Sequence, residues 1–294
     1  MFVLPALAGC GADAAVTLGR ALPDPTFGDE GRVVASINDS ADESSPTLTA
    51  DLLEIYFSSS RGGLGSGDVW WASRSDRSLA FGEPLLLEAV SSVDREVSPV
   101  ISPDGLTLWV GSDRPGSRDQ SIDIWQADRP SRRAQWGELH NVSELNSVRD
   151  DLPRPLGHDG RVMPLASRRD DRNYQTYLAT RASADAPWAD VDASAVAGLW
   201  LEGSAMLGAF LTADGMQLFF HRETSTGAEL YLAWRRSLRE PFQGPMALTT
   251  LNVGTRQREP WVSADETRFF FTSDRQVAEG FDIYATTLDL PRFE

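Results

Sequence analysis

The sequence predicts an all-β fold, a five-bladed β-propeller with four-stranded antiparallel blades. Three observations predict it. A pattern of about fifty residues recurs five times, each copy holds strand-like segments in the same order, and the fourth segment missing from the last copy is found ahead of the first. We therefore expect the N-terminal strand to complete the last blade and close the ring.

Each repeat is built around a turn marked by an aspartate between two apolar runs. In the segment 102–105, Ser-Pro-Asp-Gly, the Asp-Gly pair is a strong hairpin signal. In the first and last copies Leu52 and Glu266 replace the glycine, so we expect another type of turn there. Steps of 53, 55, 55 and 51 residues separate the five anchors, Asp51, Asp104, Asp159, Asp214 and Asp265.

The strands of a repeat follow from the apolar pattern after the turn. The second strand is apolar at nearly every position, as in Ile55-Tyr56-Phe57, which is typical of a strand covered on both faces. A third strand opens 15 to 19 residues beyond the anchor, and a fourth element begins with an aromatic residue, as in Trp136-Gly137. That fourth element also occurs before the first repeat, from Phe27-Gly28 to Ile37-Asn38. The predicted propeller spans 27–294, and residues 27–37 complete its last blade.

These motifs resemble the TolB-like, WD-like family of bacterial propeller repeats. Its typical phrase is Ser-Pro-Asp-Gly, an apolar strand, Ser-Asp-Arg and then Asp-Ile-Tyr. The second repeat matches it with the segments 102–105, Ser112-Asp113-Arg114 and Asp123-Ile124-Trp125. The resemblance covers about residues 27–288. It implies a propeller fold but says little about function, because the family's members are mostly envelope scaffolds or uncharacterised proteins.

The N-terminus has the features of a processed targeting segment. Residues 1–10 are largely apolar, and the last four, Leu7-Ala8-Gly9-Cys10, resemble the lipobox of bacterial lipoproteins. The resemblance implies a lipid on Cys10 that anchors the chain to a membrane of the cell envelope, periplasmic or surface-exposed. Residues 11–26 are then a flexible tether. The alternative is an ordinary apolar N-terminus with an incidental cysteine.

The composition limits the kinds of partner that we expect the protein to bind. The formal net charge of −16, from 43 acidic and 27 basic residues, repels nucleic acid phosphates, so we expect no nucleic acid partner. No apolar run approaches the roughly 18 residues of a membrane-spanning helix. The single cysteine excludes an internal disulfide. We expect a monomer whose partner is a protein or an envelope polysaccharide.

Acidic residues precede the first strand of most repeats. Three lie eight residues before their anchor, Glu43, Glu96 and Asp151, and Glu259 is offset by two in the last copy. First strands border a propeller's channel, so these carboxylates are predicted to ring one mouth and attract a cation or a basic segment. The alternative is a solvated rim that keeps an acidic protein soluble.

Two sets of arginines recur, and repetition favours a structural role over a unique site. The first set is expected to pair with the aspartates that open the third strands, Asp68, Asp123 and Asp282. The second set, at the ends of the third strands, is expected to point outward. The first set is Arg61, Arg114, Arg169 and Arg275, and the second is Arg74, Arg129, Arg181 and Arg235.

The sequence favours a binding module over an enzyme. His140, His158 and His221 fall at unrelated repeat positions without metal-ligand spacing, and no nucleophile elbow or phosphate loop is found, so no metal or cofactor is expected. The alternative is a glycoside-processing enzyme, because five-bladed propellers also carry glycosidases, which need two carboxyls roughly 5 to 9.5 Å apart. Candidates at positions that do not recur are Asp170, Asp171, Asp190 and Glu202.

Overall fold

The computed structural model describes residues 23–157, 159–170, 173–275 and 280–292. Within these ranges the chain forms 21 β-strands and two short 3₁₀ turns, Arg118–Gln120 and Ala197–Leu199. No helix in them is long and apolar enough to cross a membrane. The predicted signal segment 1–10 with Cys10, and the tether up to residue 22, lie outside the described residues.

The strands form five antiparallel sheets, one per blade. Two short strands come first, β1 (Thr26–Phe27) and β2 (Arg32–Val33). Blade one contains β3 (Glu43–Leu48), β4 (Glu54–Ser59), β5 (Asp68–Ser73) and β6 (Leu85–Leu86). Blade two contains β7 (Glu96–Ile101), β8 (Thr107–Ser112), β9 (Asp123–Asp128) and β10 (His140–Asn141). Blade three contains β11 (Asp151–Pro153), β12 (Val162–Ser167), β13 (Gln175–Thr180) and β14 (Asp190–Asp192). Blade four contains β15 (Ala205–Leu211), β16 (Gln217–Thr224), β17 (Gly227–Trp234) and β18 (Gln243–Ala247). Blade five contains β19 (Gln257–Val262), β20 (Arg268–Ser273) and β21 (Asp282–Asp289).

The N-terminal strands complete blade five, as the sequence predicts. Both β1 and β2 pair with β21, with Thr26 opposite Asp289 and Arg32 opposite Ala285. The ring of Phe27 meets that of Phe269 edge-on at 5.3 Å. The sheet of the last blade therefore contains both ends of the propeller.

The core lies between the blades. In the second strand of blade one Ile55, Tyr56 and Phe57 are all fully buried, because each face of the sheet is covered by a neighbouring blade. The largest apolar cluster joins blades four, five and one through residues such as Phe219 and Phe271. Inter-blade packing of this kind explains the apolar character of both faces of the second strand.

A bulge interrupts the first strand in four blades, at the position six residues before the anchor. The residue there has a positive φ: Ser45 (53°), Ser98 (54°), Gly208 (60°) and Glu259 (55°). The register to the second strand shifts at the same place. In blade three Pro153 occupies this position, and the strand ends there, since proline cannot adopt a positive φ. Blade three therefore has a shorter inner edge.

The hairpins after the first strands share one feature that the sequence analysis missed. The residue after the anchor is left-handed in every blade, and this includes Leu52 (φ 60°) and Glu266 (φ 56°). The expectation of another turn type in the first and last copies was wrong, because the anchor carboxylate stabilises the turn itself. Asp51 Oδ1, for example, accepts a hydrogen bond from the backbone N–H of Leu53 at 3.1 Å.

Candidate functional site

Three of the four predicted rim carboxylates are buried. Glu43, Glu96 and Asp151 have no exposed surface, and each is paired with an arginine of its own blade. Arg61 Nη2 lies 2.9 Å from Glu43 Oε1, and Ser59 Oγ donates to the same oxygen at 2.8 Å. The expectation that these three ring an open mouth was wrong, because a fully buried, paired carboxylate presents no free charge to a ligand.

These arginines hold neighbouring blades together. Arg61 Nη2 donates to the carbonyl of Ile37, in the connection from blade five, at 2.5 Å, and its guanidinium lies 5.1 Å from the ring of Trp70. Arg114 makes the corresponding bond to Val90 O, and Arg169 to Leu145 O. Burial raises the pKa of Glu43, while Arg61 and Ser59 oppose that shift. The pairs are structural parts of each blade.

Blades four and five vary this arrangement. In blade four Arg222 donates to Leu199 O and lies 4.9 Å from the ring of Tyr231, so it replaces the arginine found two positions later elsewhere. In blade five Gln257 occupies the acidic position, and its Nε2 donates to Val253 O. A carboxylate at this position is therefore not required for the fold.

The third-strand aspartates do not pair with these arginines, contrary to expectation. Asp68 Oδ2 accepts from the backbone N–H groups of Leu64 and Gly65 at 3.0 and 3.1 Å, and Asp123 Oδ2 accepts from the N–H of Arg118 at 3.0 Å. These aspartates stabilise the loop that precedes their own strand. The loop needs acceptors for its N–H groups, and the arginine is already engaged by the first strand.

The second arginine set points inward, which corrects the expectation of outward side chains. Each member donates its Nε to a carbonyl of the hairpin turn in its own blade, and its guanidinium stacks on the aromatic residue that opens the fourth element. Arg129 Nε, for example, lies 2.7 Å from Gly105 O, and its guanidinium lies 4.5 Å from the ring of Trp136. The same contacts occur in Arg74 on Phe81, Arg181 on Trp188 and Arg235 on Phe242.

Glu259 lies in the central channel and belongs to a cluster of its own. Its carboxylate accepts from the backbone N–H of Ser45 at 2.5 Å and from Ser45 Oγ at 2.8 Å. Arg154 Nη1 lies 3.8 Å from Glu259 Oε1 and 3.2 Å from Ser98 Oγ. The cluster links blades five, one, two and three across the channel. The structure therefore does not group Glu259 with the other three predicted residues.

A cavity opens on the other side of the ring, where the hairpin turns meet. It has a volume of about 890 Å³ and begins as a funnel surrounded by residues of all five blades, including Ala50, Pro103, Ala213 and Ala264. From the funnel it continues as a cleft between blades two and three. This cleft, which was not predicted from the sequence, is the candidate site.

Blade two supplies one wall of the cleft as a row of side chains on a single sheet face. Trp109 pairs with Gln126, and Gln126 pairs with His140, so the three lie side by side across β8, β9 and β10. The indole Nε1 of Trp109 is buried and has no hydrogen-bond partner among the described residues. The wall therefore places the polar side chains of Gln126 and His140 beside a buried indole.

Blade three supplies the opposite wall, with Leu156, Pro187, Trp188 and Arg181. The short first strand of this blade ends at Pro153, and the following residues 155–157 line the cleft. Arg181 lies against Trp188, 4.4 Å from the ring, and its Nε donates to Gly160 O at 2.8 Å. Burial lowers the pKa of Arg181, while nearby Asp185 opposes that shift.

The other predicted candidates lie away from the cavity or outside the described residues. Asp170, Asp190 and Glu202 are exposed and do not line it. His221 is buried in blade four, where its Nδ1 accepts from the N–H of Glu259 at 3.2 Å. Asp171, His158 and Cys10 lie outside the described residues. His140 alone of this group is brought to the cleft.

No family model and no curated protein sequence matches this chain. Several solved structures do match it. One is a protein assigned as TolB from Agrobacterium tumefaciens, with 12% identity, a TM-score of 0.51, and coverage of 85% of this chain and 82% of that one.

Glycoside hydrolases share the same fold. An α-L-arabinofuranosidase from Podospora anserina, solved in complex with cellotriose, is 13% identical with a TM-score of 0.53, covering 85% of this chain and 91% of its own. A thermostable family-43 glycoside hydrolase is 11% identical with a TM-score of 0.52, and the match covers 88% of this chain and 92% of that one. At these identities the likenesses concern architecture alone, and with the strand topology they show a five-bladed β-propeller.

Proposed function

We propose that this protein is a binding module of the bacterial cell envelope and that it takes a glycan in the cleft between blades two and three. The observation that carries the proposal is the cleft itself. Its volume of about 890 Å³ lies within the roughly 300 to 1,000 Å³ of small-molecule sites, and its walls hold Trp109 and Trp188 beside a few polar groups.

The chemistry of these walls suits a sugar chain. A pyranose ring has apolar C–H faces and a polar edge, which match the apolar surface of Pro103, Leu156 and Pro187 flanked by hydrogen-bonding side chains. Gln126 and His140 lie next to Trp109 on the same sheet face and supply hydrogen-bonding groups to the cleft. A protein segment is the rival occupant, and binding experiments decide between them.

A glycoside-processing enzyme is the alternative function, and it requires a pair of carboxyls acting on one bond. The cavity carboxylate whose pKa is raised by burial is Glu266, and it is ion-paired with Arg292. Asp104 stabilises its own turn, where its Oδ1 accepts from Leu106 N–H at 3.0 Å. Because these two carboxylates are already ion-paired or hydrogen-bonded within the protein, the cavity favours binding over hydrolysis.

The proposal is tested by titrating the purified protein with oligosaccharides prepared from bacterial envelope glycans. We expect saturable binding that changes tryptophan emission, with the sugars recovered intact. His140→Ala is expected to weaken binding about fivefold, the loss of one hydrogen bond of about 1 kcal/mol. Leu85→Ala, the change at the matching place in blade one, is the control. Absence of binding to every glycan overturns the proposal, and released sugar favours the enzyme alternative.

Membrane attachment through Cys10 is a separate part of the proposal. It rests on the resemblance of residues 7–10 to a lipobox, and acyl chains at roughly 0.8 kcal/mol per buried CH₂ give stable anchoring when more than one is present. Cys10→Ser is expected to release the protein from the membrane fraction. Unchanged membrane association of this variant would rule out the lipid anchor.

A further inference from the structure

Two neighbouring blade junctions contain corresponding residues but differ at one position. Between blades one and two, the carboxylate of Glu54 accepts from Arg129 Nη2 at 2.7 Å and from the hydroxyl of Tyr56 at 2.8 Å. Arg129 stacks on Trp136, whose ring also meets that of Tyr56 at 6.4 Å. A buried carboxylate therefore neutralises the arginine of this junction.

Between blades two and three the carboxylate is missing. Thr107, three residues beyond its anchor like Glu54, occupies the corresponding place, and Trp109 corresponds to Tyr56. Thr107 Oγ1 donates to Asp128 on its own sheet at 2.8 Å. Across the junction, Arg181 stacks on Trp188 as Arg129 stacks on Trp136. Both Thr107 and Arg181 line the cleft.

The charge of Arg181 is compensated by weaker contacts than that of Arg129, the corresponding arginine. The described residues supply Arg181 with one carbonyl acceptor, at Nε, with the ring of Trp188 and with the exposed carboxylate of Asp185 nearby, whereas Arg129 donates a hydrogen bond to a buried carboxylate as well. A partly buried guanidinium gains strongly from a charged acceptor, and it binds carboxylates through two parallel hydrogen bonds. Among the described residues Arg74 and Arg235 of the same set also donate to carbonyls and to no carboxylate, but Arg181 is the member that lines the cleft, so a negative group of a ligand can reach it.

We propose that this negative group is a carboxylate of the ligand, so that the bound glycan carries a sugar acid whose carboxyl pairs with Arg181. This inference rests on the proposed glycan-binding function and adds the class of sugar. The ligand carboxylate does at this junction what Glu54 does at the other, while the rest of the sugar lies in the cleft beside Gln126 and His140.

The charge around the cleft limits the kind of acidic glycan. Asp104, Asp159 and Asp185 lie on the cavity wall and are exposed, and the whole chain is strongly acidic. These charges repel a polyanion but are partly screened by salt, whereas the half-buried guanidinium is screened less. We therefore expect a glycan in which isolated carboxyls are carried on a neutral backbone.

The test compares each acid with its neutral form. The probes are oligosaccharides of three to five sugars that carry a single glucuronic, galacturonic or muramic acid, each as the free acid and as the methyl ester. We expect the protein to bind at least one free acid about tenfold more tightly than its ester, and this preference to shrink with added salt.

Two substitutions at Thr107 make the test specific. Thr107→Glu places the counterpart of Glu54 opposite Arg181 and is expected to abolish the preference for the acid. Thr107→Gln has the same size without the charge and is expected to keep it. Circular dichroism and thermal unfolding establish that both variants fold, and Arg181→Gln, expected to bind acid and ester equally, provides the same comparison without altering Thr107.

The outcomes separate the two proposals. Equal binding of acid and ester by the unsubstituted protein, or an acid preference that survives in Thr107→Glu, overturns the inference and leaves the glycan site standing. Failure of every acid, every ester and every neutral glycan to bind overturns the proposed function itself.

Discussion

The carboxylate of Glu259 accepts two hydrogen bonds from Ser45, one from the backbone N–H at 2.5 Å and one from Oγ at 2.8 Å. Ser45 is the bulge residue of blade one, so Glu259 satisfies a donor that the bulge turns toward the channel. Other bulges use the same device. Ser58 Oγ accepts from the N–H of Ser98 at 3.0 Å. In both cases the N–H of the bulge residue joins the inner strand to the neighbouring blade.

Glu259→Ala is expected to lower the free energy of unfolding by about 3 to 5 kcal/mol, because it leaves the buried guanidinium of Arg154 without its partner. The double substitution Glu259→Ala with Arg154→Met is expected to be less damaging than the single one, since it also removes the buried charge. Chemical denaturation of the three proteins checks this. Equal losses in the single and double variants would show that the two residues are not coupled.

His221 is expected to make stability depend on pH. Burial, reinforced by Arg258 and Arg154, holds its pKa well below the ordinary 6.5, so the unfolded chain takes up a proton before the folded one does. Stability is then fully present above pH 6.5 and falls as the pH drops below it, by up to about 1.4 kcal/mol per pH unit. Denaturation at several pH values measures this slope. It is expected to diminish in His221→Gln and to persist in His140→Gln, whose histidine is exposed.

Glu43→Gln is expected to change stability by less than about 1 kcal/mol at neutral pH, whereas Glu43→Ala costs about 3 kcal/mol more. Glutamine is already used at this position in blade five, and its side-chain oxygen can still accept from Ser59 and Arg61, whereas alanine leaves both donors without that acceptor. Burial raises the pKa of Glu43 above 4.5, so its contribution is present at low pH and is lost as the pH rises through that raised pKa. The glutamine variant should therefore gain stability relative to the unsubstituted protein as the pH rises above 4.5. If the glutamine variant instead lost stability relative to the unsubstituted protein as the pH rose, a raised pKa of Glu43 would be contradicted.

Phe27→Ala is expected to cost about 1 to 3 kcal/mol, since the half-buried ring packs on Phe269 and completes the core of blade five. Thermal unfolding is the measurement. Leu79→Ala, at an exposed apolar residue, is the matched control and should leave the midpoint unchanged. A null result for Phe27 would mean that β1 contributes little to holding the ring closed.

The repeat spacing was enough to predict the blades and the placement of residues 27–37 in the last one, because strand order follows directly from the order of apolar segments. The partner of Arg61 was not predictable in this way. Both Glu43 and Asp68 lie at the end of the blade that bears Arg61, and the choice depends on which carboxylate the loop before β5 uses for its own N–H groups. Spacing carries no information about that competition.

The cleft was not predicted from the sequence, and the reason is a different one. It results from differences between repeats, Thr107 in place of Glu54 and a first strand in blade three cut short at Pro153, whereas the alignment of repeats was used for what they share. Both substitutions are visible in the sequence. Their effect depends on side-chain volume and charge across a blade junction, which only a three-dimensional arrangement supplies.

The pairing of β1 and β2 with β21 has a topological consequence. Since the break in the covalent chain falls inside a sheet, every one of the five blade boundaries is crossed by the polypeptide, including the boundary between blades five and one through residues 34–42. The ring therefore has no boundary at which two blades meet by packing alone. Opening it requires peeling two short strands from the outer edge of β21, so the seam lies on the circumference of the molecule, away from the channel and the cleft.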